Sequence, residues 1–214
     1  MWISLADVPE PTGRARRHRA IAESAGPGAP ARLPLAWEVE AIAWFVGLAI
    51  GGRLIHWTPL PSADPERTWV RIGDSGLAEE LALSPDRPPG RSSTRAARRA
   101  IVRLLEPVVE SGGERSARVL WWHAGDRVAD ALLWCGAELD AEAYARRIAE
   151  DLLAPGVPYA VPLAIVGDGQ RVRRTCCLSR RTAAGETCET CPHGARALDG
   201  VVRLAAPQPG GGPH

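Results

Sequence analysis

The sequence predicts an α+β protein with a mainly helical body, small β-hairpins and a C-terminal cysteine-rich module. Three observations carry this reading. Long stretches place apolar residues at helical spacing, two shorter runs of β-branched and aromatic residues are broken by Gly-Asp turns, and four of the five cysteines fall within residues 176–191. A chain of 214 residues can bury one core with a small module attached. A net charge of +1 gives no global field to draw in nucleic acid or an anionic membrane. Every basic residue is arginine, which fits a coding bias and carries no functional weight.

Residues 1–34 read as a flexible lead-in. Pro9, Pro11, Gly13, Gly26, Pro27, Gly28, Pro30 and Pro34 surround the basic run Arg14, Arg16, Arg17, His18, Arg19. That run has no aromatic residue between its arginines, so it reads as a solvated segment and no nucleic-acid partner is expected. Residues 1–11 lack a basic segment followed by an apolar run, so no secretory leader is expected. The apolar run 41–52 is too short to cross a bilayer and follows Glu38 and Glu40, so no transmembrane segment is expected and the protein is placed in the cytoplasm.

The body spans 35–156. Trp37, Ala41, Trp44, Phe45 and Leu48 give a helical period over 35–51, with nearly every later position also apolar, which predicts a central helix ended by Gly51 and Gly52. Between 54 and 84 the preferences change to a hairpin turning at Gly73-Asp74-Ser75-Gly76, and 85–90 is a linker. Ser92, Ser93 and Thr94 offer an N-cap to a helix that Pro107 should kink or end. A second buried helix is predicted over 116–136. Its polar face, His123, Asp126, Arg127 and Asp130, reads as solvated or ion-paired, and Cys135 lies on an apolar stripe as a buried, inert thiol. Asp140 is expected to cap a third helix, with Tyr144, Ile148 and Leu152 on one side.

The module spans 157–206, followed by a disordered tail at 207–214. A hairpin is predicted with strands 159–166 and 171–178 about a turn at 167–170, the second strand delivering Cys176 and Cys177. Gly185 bends the chain back to Cys188 and Cys191, and 200–204 is a further segment able to pair with the module. Clustered thiols in a reducing compartment point to a shared metal rather than to disulfides. Structural zinc sites bring two spaced pairs, whereas Cys176 and Cys177 are adjacent, a demand that a two-iron centre relaxes. The residues alone leave zinc and iron-sulfur both open.

The spacing Cys-Cys-x10-Cys-x2-Cys, with Arg173-Arg174-Thr175 before it and Pro192 after it, resembles the motif of the FhuF-type ferric siderophore reductases. The helix near 35–51 followed by Gly52-Arg53-Leu54, and Val119-Leu120-Trp121-Trp122 leading into an alanine-rich helix, are similar more loosely. The resemblance implies a 2Fe-2S cluster held by Cys176, Cys177, Cys188 and Cys191, the cluster itself being the redox centre. It implies one-electron reduction of Fe(III) in an imported siderophore of the hydroxamate type, with release of Fe(II). Guanidinium groups near the cysteines suit docking of an acidic electron donor such as a ferredoxin or flavodoxin. Arg173, Arg174, Arg180 and Arg181 flank the paired cysteines with no acidic residue among them and are candidate contacts to substrate or donor. The alternative is a structural zinc module on a helical binding protein.

Overall fold

The computed structural model describes residues 1–84, 92–166, 170–185, 187, 188 and 190–193. Five helices, with two small antiparallel sheets and a cysteine-rich C-terminal region, make the expected α+β fold. In chain order the elements are β1 (Trp2–Ser4), α1 (Pro11–Ala25), α2 (Leu33–Ile55), β2 (Thr68–Ile72), β3 (Ala78–Leu83), α3 (Thr94–Glu110), α4 (Glu114–Glu138), α5 (Glu142–Leu153), β4 (Ala164–Val166) and β5 (Gln170–Val172). One sheet runs β1-β2-β3 and the other is the β4-β5 pair.

The axis of the fold is α2 against α4. Glycine makes that approach possible: a Cβ at Gly47 would stand 2.8 Å from the Ala131 Cβ and 3.1 Å from the Val128 Cα, and one at Gly51 would stand 2.7 Å from Leu132 Cδ1. Val39, Ile42, Val46 and Ile50 of α2 then bury against Val128 and Leu132 of α4 and against Ile101, Leu104 and Leu105 of α3. Such a helix, apolar on nearly every side, is stable only where neighbours cover it. By length and composition α2 is long enough to cross a membrane, whereas the run counted in the sequence was too short; 61% of its most apolar window is buried inside the fold.

The expected flexible lead-in at 1–34 folds into β1 and α1. Pro11 occupies the first turn of α1, where its missing N–H has no partner to lose, and the Glu10 carboxylate accepts from the amides of Thr12 and Gly13. Ile21 and Ala25 are buried, and the basic run is not simply solvated: Arg17 is bonded to Glu38 at 2.6 Å, and His18 lies 3.0 Å from the same carboxylate. Pro11 and Pro34 therefore mark where helices begin, not where order ends. Strand β1 pairs with β2 in the register Ile3↔Val70, and the hairpin β2-β3 falls inside the predicted 54–84 region.

Other differences are local. Ser93 caps α3 as expected, but Pro107 lies inside the helix, which continues to Glu110. Asp140 does not cap α5; it sits at φ 50° and Ala141 takes the cap position. Strand β5 ends at Val172, so Cys176 and Cys177 lie on irregular chain beyond it. The division expected at 157 does not separate two cores, because Tyr159 and Val161 belong to the main one. The predicted linker at 85–90, the turn at 167–169, the segment at 200–204 and the tail at 207–214 lie outside the described residues.

Helix α4 touches the chain leaving α5 at Gly125, where a Cβ would come within 2.1 Å of the Tyr159 carbonyl oxygen. Alanine favours a helix by about 1 kcal/mol over glycine, yet here it must displace backbone, and overpacking costs about 1–3 kcal/mol. Gly125→Ala is expected to lower the melting temperature by roughly 2–4 °C for each net kcal/mol lost. An unchanged or raised midpoint in thermal unfolding would contradict this packing.

Candidate metal centre

Residues 123, 126, 127 and 130 share one face of α4 because a helix repeats at three and four residues. That face is closed over by charges from two other elements. Asp126 is fully buried, and Arg171 and Arg173, two apart on extended chain and so on one side of it, are each 5% exposed. Arg171 Nη2 donates to Asp126 Oδ1 at 2.7 Å, and its Nη1 donates to Asp130. Arg173 Nε donates to Asp130 Oδ2 at 2.8 Å and its Nη1 to Glu40 Oε2 at 3.1 Å. His123 Nδ1 stands 2.6 Å from Glu40 Oε1, and Arg127 reaches Asp130 at 3.5 Å. Burial alone would raise the Glu40 carboxyl, but His123, Arg173 and Arg127 outweigh it and hold Glu40 below the usual carboxylate range.

Asp126 also organises backbone. Its Oδ1 accepts from the Arg174 amide at 3.1 Å, and its Oδ2 accepts from the Thr175 amide at 2.7 Å and the Thr175 hydroxyl at 2.6 Å. Those amides are satisfied by a carboxylate instead of a neighbouring strand, which is why the predicted strand stops short of the cysteines. Arg173, expected as a contact to substrate or donor, is instead an internal structural cation. Arg174 is exposed, with its guanidinium 4.1 Å from the centre of the Trp122 ring. Arg180 and Arg181 are exposed on the single turn Ser179–Arg181.

The cysteines follow at once. The Cys177 carbonyl accepts from Trp37 Nε1 at 2.7 Å, and Leu178 then turns the chain at φ 66° and buries its side chain with Ile21, Ala25 and Leu33. Ala183 N donates to Ala25 O at 2.9 Å, and Gly185, at φ 64°, bends the loop as the sequence suggested. Cys191 N donates to Cys188 O at 3.0 Å, closing a tight turn, while Arg173 N donates to Thr190 O at 2.9 Å and ties that turn to the buried arginine. Cys177 Sγ lies 3.3 Å from Cys188 Sγ and 3.2 Å from Ser179 Oγ.

A cavity of about 200 Å³ opens beside this sulfur pair, bounded by Trp37, Glu40, Arg127, Arg173, Cys177 and Cys188. Cys191 is buried, and its charge bears on Cys188. Cys176 opens instead on a second cavity, of about 460 Å³. Among the described residues no three His, Cys, Asp or Glu side chains converge as a single ion would require. A two-iron centre asks for something else, two thiolates on each iron. The donors fit it in kind: they are all thiols, one pair is already in contact, and Arg173 supplies positive charge nearby. The Cys188 thiol is pushed up to about 12, by burial first and then by Cys177, so that thiol resists ionising until a cation compensates it. Cys135 is apart from all this, 7% exposed and directed to the Leu48 carbonyl at 3.9 Å.

Residues 173–193 match the FhuF 2Fe-2S C-terminal domain. The matched domain is a 2Fe-2S cluster-binding one, and the match runs from the buried Arg173 through all four clustered cysteines to His193. The helical body lies outside the match, and no curated protein matches the chain. Sequence reasoning found the cysteines of the matched segment by their spacing. It missed Trp37, Glu40 and Asp126, whose signal was present in the charged face of α4 and in two acids leading a buried apolar run.

Breaking a buried ion pair by removing one partner costs about 3–5 kcal/mol. Asp126→Asn is therefore expected to destabilise the protein by roughly that amount and to speed amide exchange at 173–178 well beyond its effect on α3. Equal protection of 173–178 in variant and parent would contradict the anchoring role of Asp126.

Proposed function

We propose that this protein is a cytoplasmic ferric siderophore reductase, delivering one electron to Fe(III) in an imported siderophore so that the metal leaves as Fe(II). The observation that carries this reading is the match of 173–193 to the FhuF 2Fe-2S domain. Cys176, Cys177, Cys188 and Cys191 are the proposed ligands. When bound, the cluster supplies a carrier of single electrons whose potential is set by charge, hydrogen bonds to sulfur and exposure. Four thiolates leave no open position for a substrate atom, so the siderophore iron keeps its own ligands during the transfer. Hard oxygen donors hold ferric iron better than ferrous, and one electron loosens the complex without destroying the chelator. The hydroxamate class is the one the resemblance implies.

The residues of this chain divide the remaining work. Arg173 and Arg171 balance the buried carboxylates and keep the ligand segment against α4. Arg180 and Arg181, exposed one turn from the ligands, are the proposed contacts to an acidic donor such as a ferredoxin or flavodoxin.

Protein purified without oxygen, mixed with a reduced donor, a ferric trihydroxamate and a ferrous-specific dye, is expected to release Fe(II) in proportion to donor supplied. Absence of release with a cluster-loaded protein would overturn the reading. Serine at any one of Cys176, Cys177, Cys188 or Cys191 is expected to lower iron and acid-labile sulfide per chain severalfold, and Cys135→Ser to leave both unchanged. Full iron retention in one of the four would remove that residue from the ligand set. Charge reversal at Arg180 or Arg181 is expected to slow reduction by the donor about tenfold at low salt, with the parent rate falling as ionic strength rises. A parent rate flat across salt, with both reversals silent, would rule out this docking surface.

A further inference from the structure

The cavity of about 460 Å³ into which Cys176 opens is not explained by anything above. It lies between the start of α2, the first half of α4 and the segment 174–178. Its volume falls in the range of small-molecule sites, roughly 300–1,000 Å³. Two kinds of surface meet there. Leu35, Val119, Trp122 and Leu178 supply apolar wall, with Val119 45% exposed. Arg32 and Arg174 supply positive charge, and no aspartate or glutamate lines the cavity among the described residues. Arg118 adds a third guanidinium, 4.8 Å from the centre of the Trp122 ring on which Arg174 also rests.

This differs from the cavity on the Cys177 side, where Arg127 and Arg173 are paired with Glu40 and Asp130 and the volume is less than half as large. Chelate charge follows from counting. Three hydroxamate monoanions neutralise Fe(III), three catecholate dianions leave three negative charges, and carboxylate arms added to hydroxamates leave fewer. A guanidinium is weakly hydrated and pairs with such oxygen anions at modest desolvation cost, while the apolar wall suits an aryl or alkyl body.

We propose that the cavity formed by Arg32, Arg174, Val119, Trp122 and Cys176 binds the ferric chelate and favours chelates of net negative charge, hydroxamates with carboxylate arms among them, over neutral trihydroxamates. The identity of the chelated metal rests on the reductase reading; the anion selectivity does not. A chelate seated there lies against the Cys176 side chain, so the proposed ligand set and the substrate share a wall.

Gallium(III) separates binding from reduction, having the charge of Fe(III) and no accessible one-electron step. Quenching of Trp fluorescence in the cluster-loaded protein would be titrated with the gallium complexes of a hexadentate tris-catecholate and of a neutral hexadentate trihydroxamate. The anionic complex is expected to bind at least about tenfold tighter, with the gap narrowing as salt rises. Arg174→Glu and Arg32→Glu are each expected to weaken it about tenfold while leaving the visible spectrum of the cluster intact. Val119→Trp, which fills the cavity without changing its charge, is expected to weaken both complexes. Equal affinity for the two complexes, or anion binding unmoved by all three variants, overturns the proposal. So does slower reduction by an acidic donor in the arginine variants with chelate binding unchanged, which would assign the surface to the donor. Tight, selective binding of the gallium complex together with no reduction of its ferric counterpart would sustain this site and sink the reductase reading instead.

Discussion

Carboxylates at 126, 130 and 40 cannot be buried without cations, and besides Arg127 on α4 itself these are Arg171 and Arg173, at least 41 residues along the chain from the α4 carboxylates they meet. Three carboxylates meet the guanidiniums of Arg171, Arg173 and Arg127, so the group is close to neutral. Desolvation offsets much of the Coulomb gain in such an arrangement, and its contribution to net stability is small. Its effect on register is large. A slip of β5 by one residue would send Arg171 and Arg173 to the opposite face and leave the carboxylates uncompensated. The network thus specifies where the cysteine segment begins, more than how firmly the whole protein is folded.

From that fixed point the ligand segment has little of its own to hold it. Residues 179–188 contribute no large apolar side chain, and the segment has no separate core. It is clamped on two sides: by Asp126 on the backbone of 174 and 175, and by Leu178 buried among Ile21, Ala25 and Leu33. The left-handed turn at Leu178 is tolerable for a branched residue because that apolar seat compensates its strain of order 1 kcal/mol. This also gives α1 a purpose that its composition hid, since the helix supplies Ile21 and Ala25, two of the three buried residues of the seat.

The elements legible in the sequence are those whose burial pattern is periodic. The stretches 35–51 and 116–136 appear as α2 and α4, and Ser93 caps α3, because amphipathic or wholly buried helices write their environment into residue order. Helix α1 was obscured because Pro11 at a first turn looks the same in sequence as a proline that breaks structure. Strand β1 is three residues long and too short to show any period. Arg173 was misread for a different reason. Charge defaults to the surface, and the acids that bury it are separated from it by 43 and 133 residues, so no local pattern pairs them. The cysteines were legible by spacing, but which way each side chain points was not, because that depends on Asp126 and Leu178.

Adjacency of the first two cysteines acquires a physical meaning once both cavities are known. The Cys191-to-Cys188 backbone bond closes the second pair into a turn. Cys177 lies with Cys188 in the wall of the smaller cavity, while its neighbour Cys176 lies in the wall of the larger. The doubled cysteine thus puts one residue in the wall of each cavity, and the bonds of Asp126 to the amides of Arg174 and Thr175 fix the segment immediately before it.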